Sequence, residues 1–441
     1  YDPVSLKSVG INVQAFKRFS PAMVQIWKAA LSKSVTEAKT LTKSIALTSQ
    51  STFHAACDLA SMQVSSGAFA YNQAIVNAVK AAADTGARVM YPNGKTYPLD
   101  AAVRRAVLTS VNQTAGRVMA EQAERFGEDL MEISAHAGAR PSHSVWQGHI
   151  VSLSGNTNGG EYLTLEDIGY GDAGGFQGVN CRHTWWIFFE GISKPLYTAE
   201  ELDAMANKTV TYNGEEYSEY EAAQKVRKVE RDIRKVKREL VGLNASIEAA
   251  KGENLLRAAK TQFAADSVKL KRLEDKLSDI CFQTGIKSYS SRTRVVAAWD
   301  KDNKLIGGFD KSVSGKATAE FKKQLLPNYQ NAIIDDRKLT GYALNKNHLQ
   351  GGDKAIAFDK ALGYNINNRE ILCERIRNGL NSTPAKIKKK DRFGQRYEVK
   401  MNIDGVNGKR ADVLTAWIFD EGSDAPRLTS VYVKERKRNA N

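Results

Sequence analysis

The side chains with the most chemistry crowd into one short stretch. Between Ser134 and Gly191 lie four of the six histidines (His136, His143, His149 and His183), Cys181, which is one of four cysteines, and three of the six tryptophans. Imidazoles at His136, His143 and His183 and the Cys181 thiol are the atoms that bind zinc, with a C-x-H pair to anchor the site. The H-x6-H and C-x-H spacings match no standard finger pattern, and no carboxylate is clearly placed as a general base. Two readings stay open. One is a structural zinc, although no cofactor is required; the other is a set of hydrogen-bonded loops around Trp146 and the Trp185–Trp186 pair.

A second constellation lies towards the C-terminus, with His348, Lys354, Lys388, Arg427, Thr415, Thr429, Tyr397 and Tyr432. A metal-independent ribonuclease needs one group to take the ribose 2′-hydroxyl proton, another to protonate the leaving oxygen, and cations to hold the phosphate. His348, Lys354, Thr415 and Thr429 are the catalytic candidates on that reading. On the other, His348 and Lys354 cap or flank a helix, and the domain binds rather than cuts.

The elements that must position these residues follow from periodicity. Ser20-Pro21 opens a helix whose apolar face would be Val24, Trp27, Leu31, Val35, Ala38 and Leu41. Further helices are predicted over 50–62 and 68–83. Asn93-Gly94 marks a tight hairpin, and Asp100 is placed to cap a long helix with Val103, Val107, Val111, Val118 and Met119 on its face. Arg104 and Arg105 lie on its flank, either as an exposed face or as a DNA or portal contact. Strands near 130–135 and 185–189 frame a mixed core, and a second Asn-Gly hairpin spans 209–217.

After that hairpin Val226, Val229, Ile233, Val236, Leu240, Leu243 and Ile247 form a heptad seam of the coiled-coil kind, followed after Gly252 by Leu270, Leu273, Leu277 and Ile280. Two such helices with a short connection predict an antiparallel hairpin, basic on its first arm. From about 288 the chain starts again, with a small hairpin at 294–308, helices near 317–325, 353–362 and 369–380, and strands at 395–403, 411–419 and 427–433. The fold class is multidomain α+β. We divide it into a helical N-terminal region (1–128), a mixed α/β core (129–219), a basic helical hairpin (220–285) and a small α+β C-terminal domain (286–441).

The chain carries a net charge of +15 over 441 residues, a surplus that favours a polyanionic partner. Lys388, Lys389, Lys390, Arg436, Lys437 and Arg438 are the candidate nucleic-acid contacts. No apolar run is long enough to cross a bilayer, so no membrane partner is expected. Cysteines at 57, 181, 281 and 373 form no C-x-x-C pair, which gives no disulfide framework and suits assembly in a reducing cytoplasm. Because the chain begins at Tyr1, a preceding segment is expected.

The run from Ser134 to Gly148, the G-Y-G at Gly169 to Gly171, G-V-N-C-R-H at Gly178 to His183 and F-F-E-G-I-S at Phe188 to Ser193 resemble the phage minor capsid protein 2 family, within the broader Mu F-like head morphogenesis proteins. Met62 to Lys80, Val103 to Thr114 and Lys208 to Gly214 extend the likeness. It implies a structural virion protein in the phage head interior or at the portal vertex. Its implied partners are the portal, the major capsid protein and the packaged double-stranded DNA, with roles in head assembly, packaging or ejection. On this view His136, Arg140, His143, Trp146, Cys181 and His183 hold the fold. The C-terminal part resembles small domains at the ends of phage head proteins and polymorphic toxins, which keeps open a capsid-delivered toxin or ribonuclease.

Overall fold

The computed structural model describes residues 20–30, 71–85, 88–91, 95–295, 298–299, 305–306 and 308–434, with scattered positions between 32 and 63. Most of the expected helix at 50–62, most of the face from Leu31 to Leu41, the Asn93-Gly94 turn and the cations Arg436, Lys437 and Arg438 lie outside this set. The chain divides into two compact units, 1–210 with 216–228 and 211–215 with 229–441.

In the first unit a helix through residues 21–30 begins as expected, with Ser20 Oγ accepting the Met23 amide at 3.0 Å. Its face is turned from the expected one: Met23 is buried, while Val24 and Trp27 are exposed. Helix α1 (Tyr71–Thr85) leads to a two-stranded antiparallel sheet of β1 (Arg88–Met90) and β2 (Thr96–Pro98). Helix α2 (Leu99–Phe126) follows directly. It starts one residue before Asp100, and Pro98 at its N-cap supplies no side-chain cap. Its buried line is made of small residues, Ala102, Thr114, Gly116 and Ala123, whereas Val111 is 62% exposed. Small side chains let neighbouring backbone approach where a valine seam would hold it off. Arg105 does not form an open basic flank, because its guanidinium lies 4.4 Å from the ring centres of both Tyr91 and Tyr97.

The core of this unit is a three-stranded antiparallel sheet in the order β4 (Ile150–Ser152), β3 (Leu130–Ile133), β5 (Trp185–Ile187). Central β3 is buried along its length, and Met131 and Ile133 pack with Val151, Ile168, Phe176, Trp185, Ile187 and Phe189. On the other face of β3, buried Glu132 is satisfied by Trp186 Nε1 at 3.0 Å and the Leu196 amide at 2.6 Å. A short helix α3 (Pro141–Ser144) and the irregular segment between β4 and β5 lie beside the sheet. Helix α4 (Ala199–Ala206) opens with a Thr198/Glu201 capping box. Strands β6 (Thr209–Tyr212) and β7 (Glu215–Ser218) then turn through Asn213-Gly214 at φ 54° and 81°, the left-handed pair that a two-residue hairpin demands.

Helix α5 (Glu219–Ala249) runs on into the second unit, where it forms the expected antiparallel hairpin with α6 (Glu253–Thr284). Val229, Ile233, Val236, Leu240 and Leu243 are buried on the first arm, and Phe263, Leu270 and Ile280 on the second. Lys237 Nζ meets Glu274 at 3.5 Å between the arms. Strands β8 (Ala298–Trp299) and β9 (Leu305–Ile306) pair. Helix α7 (Lys311–Lys323) begins six residues before the expected start at 317 because Asp310 caps it, accepting the Val313 amide at 2.9 Å.

The unit closes with helices α8 (Gly352–Leu362) and α9 (Arg369–Leu380) on one face of a four-stranded antiparallel meander. Its strands run in the order β10 (Ala385–Ile387), β11 (Gly394–Asp404), β12 (Arg410–Asp420), β13 (Arg427–Val433). Strand β10 has no counterpart in the periodicity. Phe358, Leu362, Leu372, Ile376 and Leu380 pack on Val399, Met401, Ile403, Val413, Trp417, Leu428 and Val431. Thr415 lies within this layer, fully buried, donating to the Val399 carbonyl at 3.1 Å and accepting from Trp417 Nε1 at 2.8 Å.

Replacing Thr415 by valine keeps the shape and removes the indole's acceptor. We predict a loss of about 1–3 kcal/mol in the unfolding free energy of the full chain, measured by denaturant titration, with Thr415→Ser much closer to wild type.

Candidate functional site

The loops on either side of β3, β4 and β5 bring together residues that are about forty positions apart in the chain. His143, on α3, and His183, just before β5, are 2% and 1% exposed, and their Nδ1 atoms stand 3.4 Å apart. Cys181 Sγ lies 3.5 Å from the same Nδ1 of His183. The outer nitrogens are committed: His143 Nε2 donates to the Gly174 carbonyl at 2.8 Å and His183 Nε2 to Gln147 Oε1 at 3.1 Å. Gln147 Oε1 also accepts the backbone N–H of His136 at 3.1 Å, which marks that atom as the amide oxygen.

Aromatic contacts close the cluster. The His136 ring stacks on His183 with centres 4.5 Å apart and planes 15° from parallel. Trp146 meets His143 at 4.5 Å and stands edge-on to His183 at 4.9 Å and to Phe176 at 5.8 Å. Arg140 Nη2 donates to the Val179 carbonyl at 3.0 Å, so its charge ties one loop to the other. His149 stays outside the cluster, its Nδ1 bonded to the Gln147 carbonyl at 3.0 Å.

Burial sets the protonation states. It pulls His183 down to about 3, helped by the positive charges that His136, His143 and Arg140 would present. His143 is lowered by burial too, with Arg140 and His136 adding to the effect against its bond to Gly174. Burial pushes the Cys181 thiol up. Both inner imidazoles are therefore neutral at ordinary pH. The ligand atoms of His143, Cys181 and His183 lie within 4.8 Å of one another, so these three could hold a metal ion; His136 stacks beside the group rather than within it.

The outer N–H groups of the two inner rings are spent on one backbone carbonyl and one glutamine oxygen. A family model described as phage minor capsid protein 2 matches residues 7–281. The chain belongs to the phage minor capsid protein 2 family. A relative described as "Structural protein" from Lactococcus phage LL-H is 25% identical over 103 residues, which cover 23% of this chain and 28% of that protein. This member of the family thus matches well under a third of the relative's length. Residues 325–435 match a second model, described only as a domain of unknown function, DUF6883. No solved structure matches.

In that second region the structure separates the four catalytic candidates. Lys354 Nζ reaches Ser430 Oγ at 3.1 Å and sits over the rings of Tyr342 at 4.6 Å and Tyr432 at 5.5 Å. His348 stands edge-on to Tyr342 at 4.9 Å. Thr415 and Thr429 do not join them: Thr415 is buried with its hydroxyl bonded on both sides, and Thr429 donates to the Ala416 carbonyl at 3.0 Å. Arg427 is clamped to Asp420 through two bonds of 2.7 Å, and Lys388 pairs with Glu398 at 3.0 Å, whereas Lys389 and Lys390 are exposed.

Sequence reasoning missed the residues that hold the histidine cluster from behind. Asn112 Nδ2 donates to the His183 carbonyl at 3.2 Å and Gln113 Nε2 to the Gln177 carbonyl at 3.2 Å. Gly116 accepts the Trp185 indole N–H at 2.9 Å, and a Cβ there would run into the Gln177 side chain. The V-N-Q-T run that carried part of the family likeness was the available signal. We predict that Asn112→Ala lowers the thermal midpoint of the full chain by the equivalent of about 1–2 kcal/mol, while Ser142→Ala on the exposed side of α3 stays within about 0.5 kcal/mol.

Proposed function

We propose that this protein is a head component of a tailed phage, recruited beside the portal during assembly, in contact with portal and major capsid protein and with the packaged DNA. The observation that carries this reading is how the family-matched region spends its rare side chains: His136, Arg140, His143, Trp146, Cys181 and His183 join loop to loop. The net charge of +15 suits a neighbour as anionic as a packed genome. Among the described residues no helix is long and apolar enough to cross a membrane.

In heads assembled from a phage carrying Trp146→Ala, we expect the copies of this protein per head to fall several-fold, measured by quantitative mass spectrometry. Removal of residues 325–435 should leave incorporation near wild type. Normal incorporation of Trp146→Ala protein would contradict the reading.

A second reading rests on the meeting of His348, Lys354, Tyr342, Ser430 and Tyr432, which suits a phosphate and so a capsid-delivered ribonuclease. His348 Nδ1 accepts the Gln350 and Gly351 amides at 3.1 and 3.0 Å, which places the neutral ring's proton on Nε2. The ring is set to donate to a phosphate or leaving oxygen rather than to remove the 2′-hydroxyl proton. Incubated with RNA in chelator, the full chain should cleave on this reading, and Lys354→Ala and His348→Ala should each lower the rate at least about 100-fold. Salt-dependent binding without cleavage would leave the region as a nucleic-acid contact.

A further inference from the structure

We infer that His143, Cys181 and His183 form a binding site for a soft divalent metal ion, zinc by the chemistry of the ligands, which pins the loop carrying Gly174 to His183 onto helix α3. The argument begins with hydrogen positions. A carbonyl oxygen can only accept, so the 2.8 Å contact with Gly174 places a proton on Nε2 of His143, and the 3.1 Å contact with Gln147 Oε1 places one on Nε2 of His183. Each neutral ring carries a single N–H, which leaves a lone pair on each Nδ1. Those two lone pairs face each other at 3.4 Å.

An ion resolves that opposition. Zinc bonds of about 2.0–2.1 Å to nitrogen and about 2.3 Å to sulfur in a tetrahedron give ligand-to-ligand edges of about 3.3–3.6 Å. The observed edges are 3.4 Å between the two Nδ1 atoms and 3.5 Å from Cys181 Sγ to His183 Nδ1. All three ligand atoms lie within 4.8 Å, so the His143-to-sulfur edge is the one left to tighten.

The surroundings are those of a metal site as well. Ligand histidines characteristically donate their other N–H to a carbonyl, which fixes the tautomer and orients the ring, and both rings do so here. The unpartnered, buried Nε2 of His136 belongs to the ring stacked on His183, so an unused nitrogen lies beside the three ligands. His136 also borders an open hollow lined by Glu201, Ala204, Met205 and Lys208, which offers a way in. Without an ion, the Cys181 thiol can donate to His183 Nδ1, and His143 Nδ1 then keeps a buried lone pair with no donor.

The test uses the purified full chain, stripped with chelator and titrated with cobalt(II) and zinc(II). We expect one equivalent of cobalt to bind, with a thiolate-to-cobalt charge-transfer band in the near ultraviolet and strong visible bands of a four-coordinate ion, all displaced by zinc. Cys181→Ser should lose the charge-transfer band. Gln147→Leu should weaken zinc binding by about 10–100-fold, and His149→Ala should leave it unchanged. Folded wild-type protein, verified by circular dichroism, that shows no thiolate–cobalt band would overturn the inference on its own, whether or not the variants fold. So would a band that persists in Cys181→Ser.

Discussion

Two imidazoles cannot enter a protein interior as cations without a partner charge, and this constraint governs the first unit. His143 and His183 are buried neutral, and each gains a carbonyl oxygen for its outer N–H. Meeting that demand takes pieces from distant parts of the chain. Gly174 must come back from the excursion after β4, and Gln147 must turn inward after α3, where one oxygen serves His183 and the His136 backbone together. Helix α2 closes the arrangement from behind through Asn112, Gln113 and the Gly116 carbonyl. Glu132 plays the matching part on the other face of the sheet, where a single carboxylate holds Trp186 and Leu196.

The second unit uses its polar residues differently. Its hydrogen bonds and ion pairs close turns and join elements: Asp420 with Arg427 across the last hairpin, Arg410 with Asp279 at 2.6 Å between sheet and α6, and Lys316 with Glu248 at 2.9 Å. These pairs draw on the same cations that give the chain its positive balance. What remains for a partner is narrower than the composition suggests, and it includes exposed Lys389 and Lys390.

Features that depend on local chemistry were legible in the sequence. The Asn213-Gly214 turn, the buried α5 seam and the crowding of histidine, cysteine and tryptophan could be read directly, because a left-handed turn, a heptad and a rare residue type each leave a local mark. Other features depend on what lies across the gap. Helix α2 buries Ala102, Thr114 and Ala123 rather than Val111, since close packing selects small residues that hydropathy does not single out. Thr415 looked like a free hydroxyl until Trp417 was found to need it, and Arg105 like an open charge until two tyrosine rings were found around it. Gln147 carries no sequence mark of its importance, because an amide acquires a role only when two donors arrive from elsewhere.

The central claim is that His143 and His183 are neutral with the proton on Nε2, and nitrogen-15 spectra of the histidine side chains in the full chain test it most directly. Six histidines will report. The account predicts two rings, removed by His143→Ala and His183→Ala, that show the Nε2–H tautomer near neutral pH, with the His183 ring unchanged down to about pH 5, where an ordinary histidine is charged. A His183 ring that titrates near the usual histidine value, or that carries its proton on Nδ1, would contradict it.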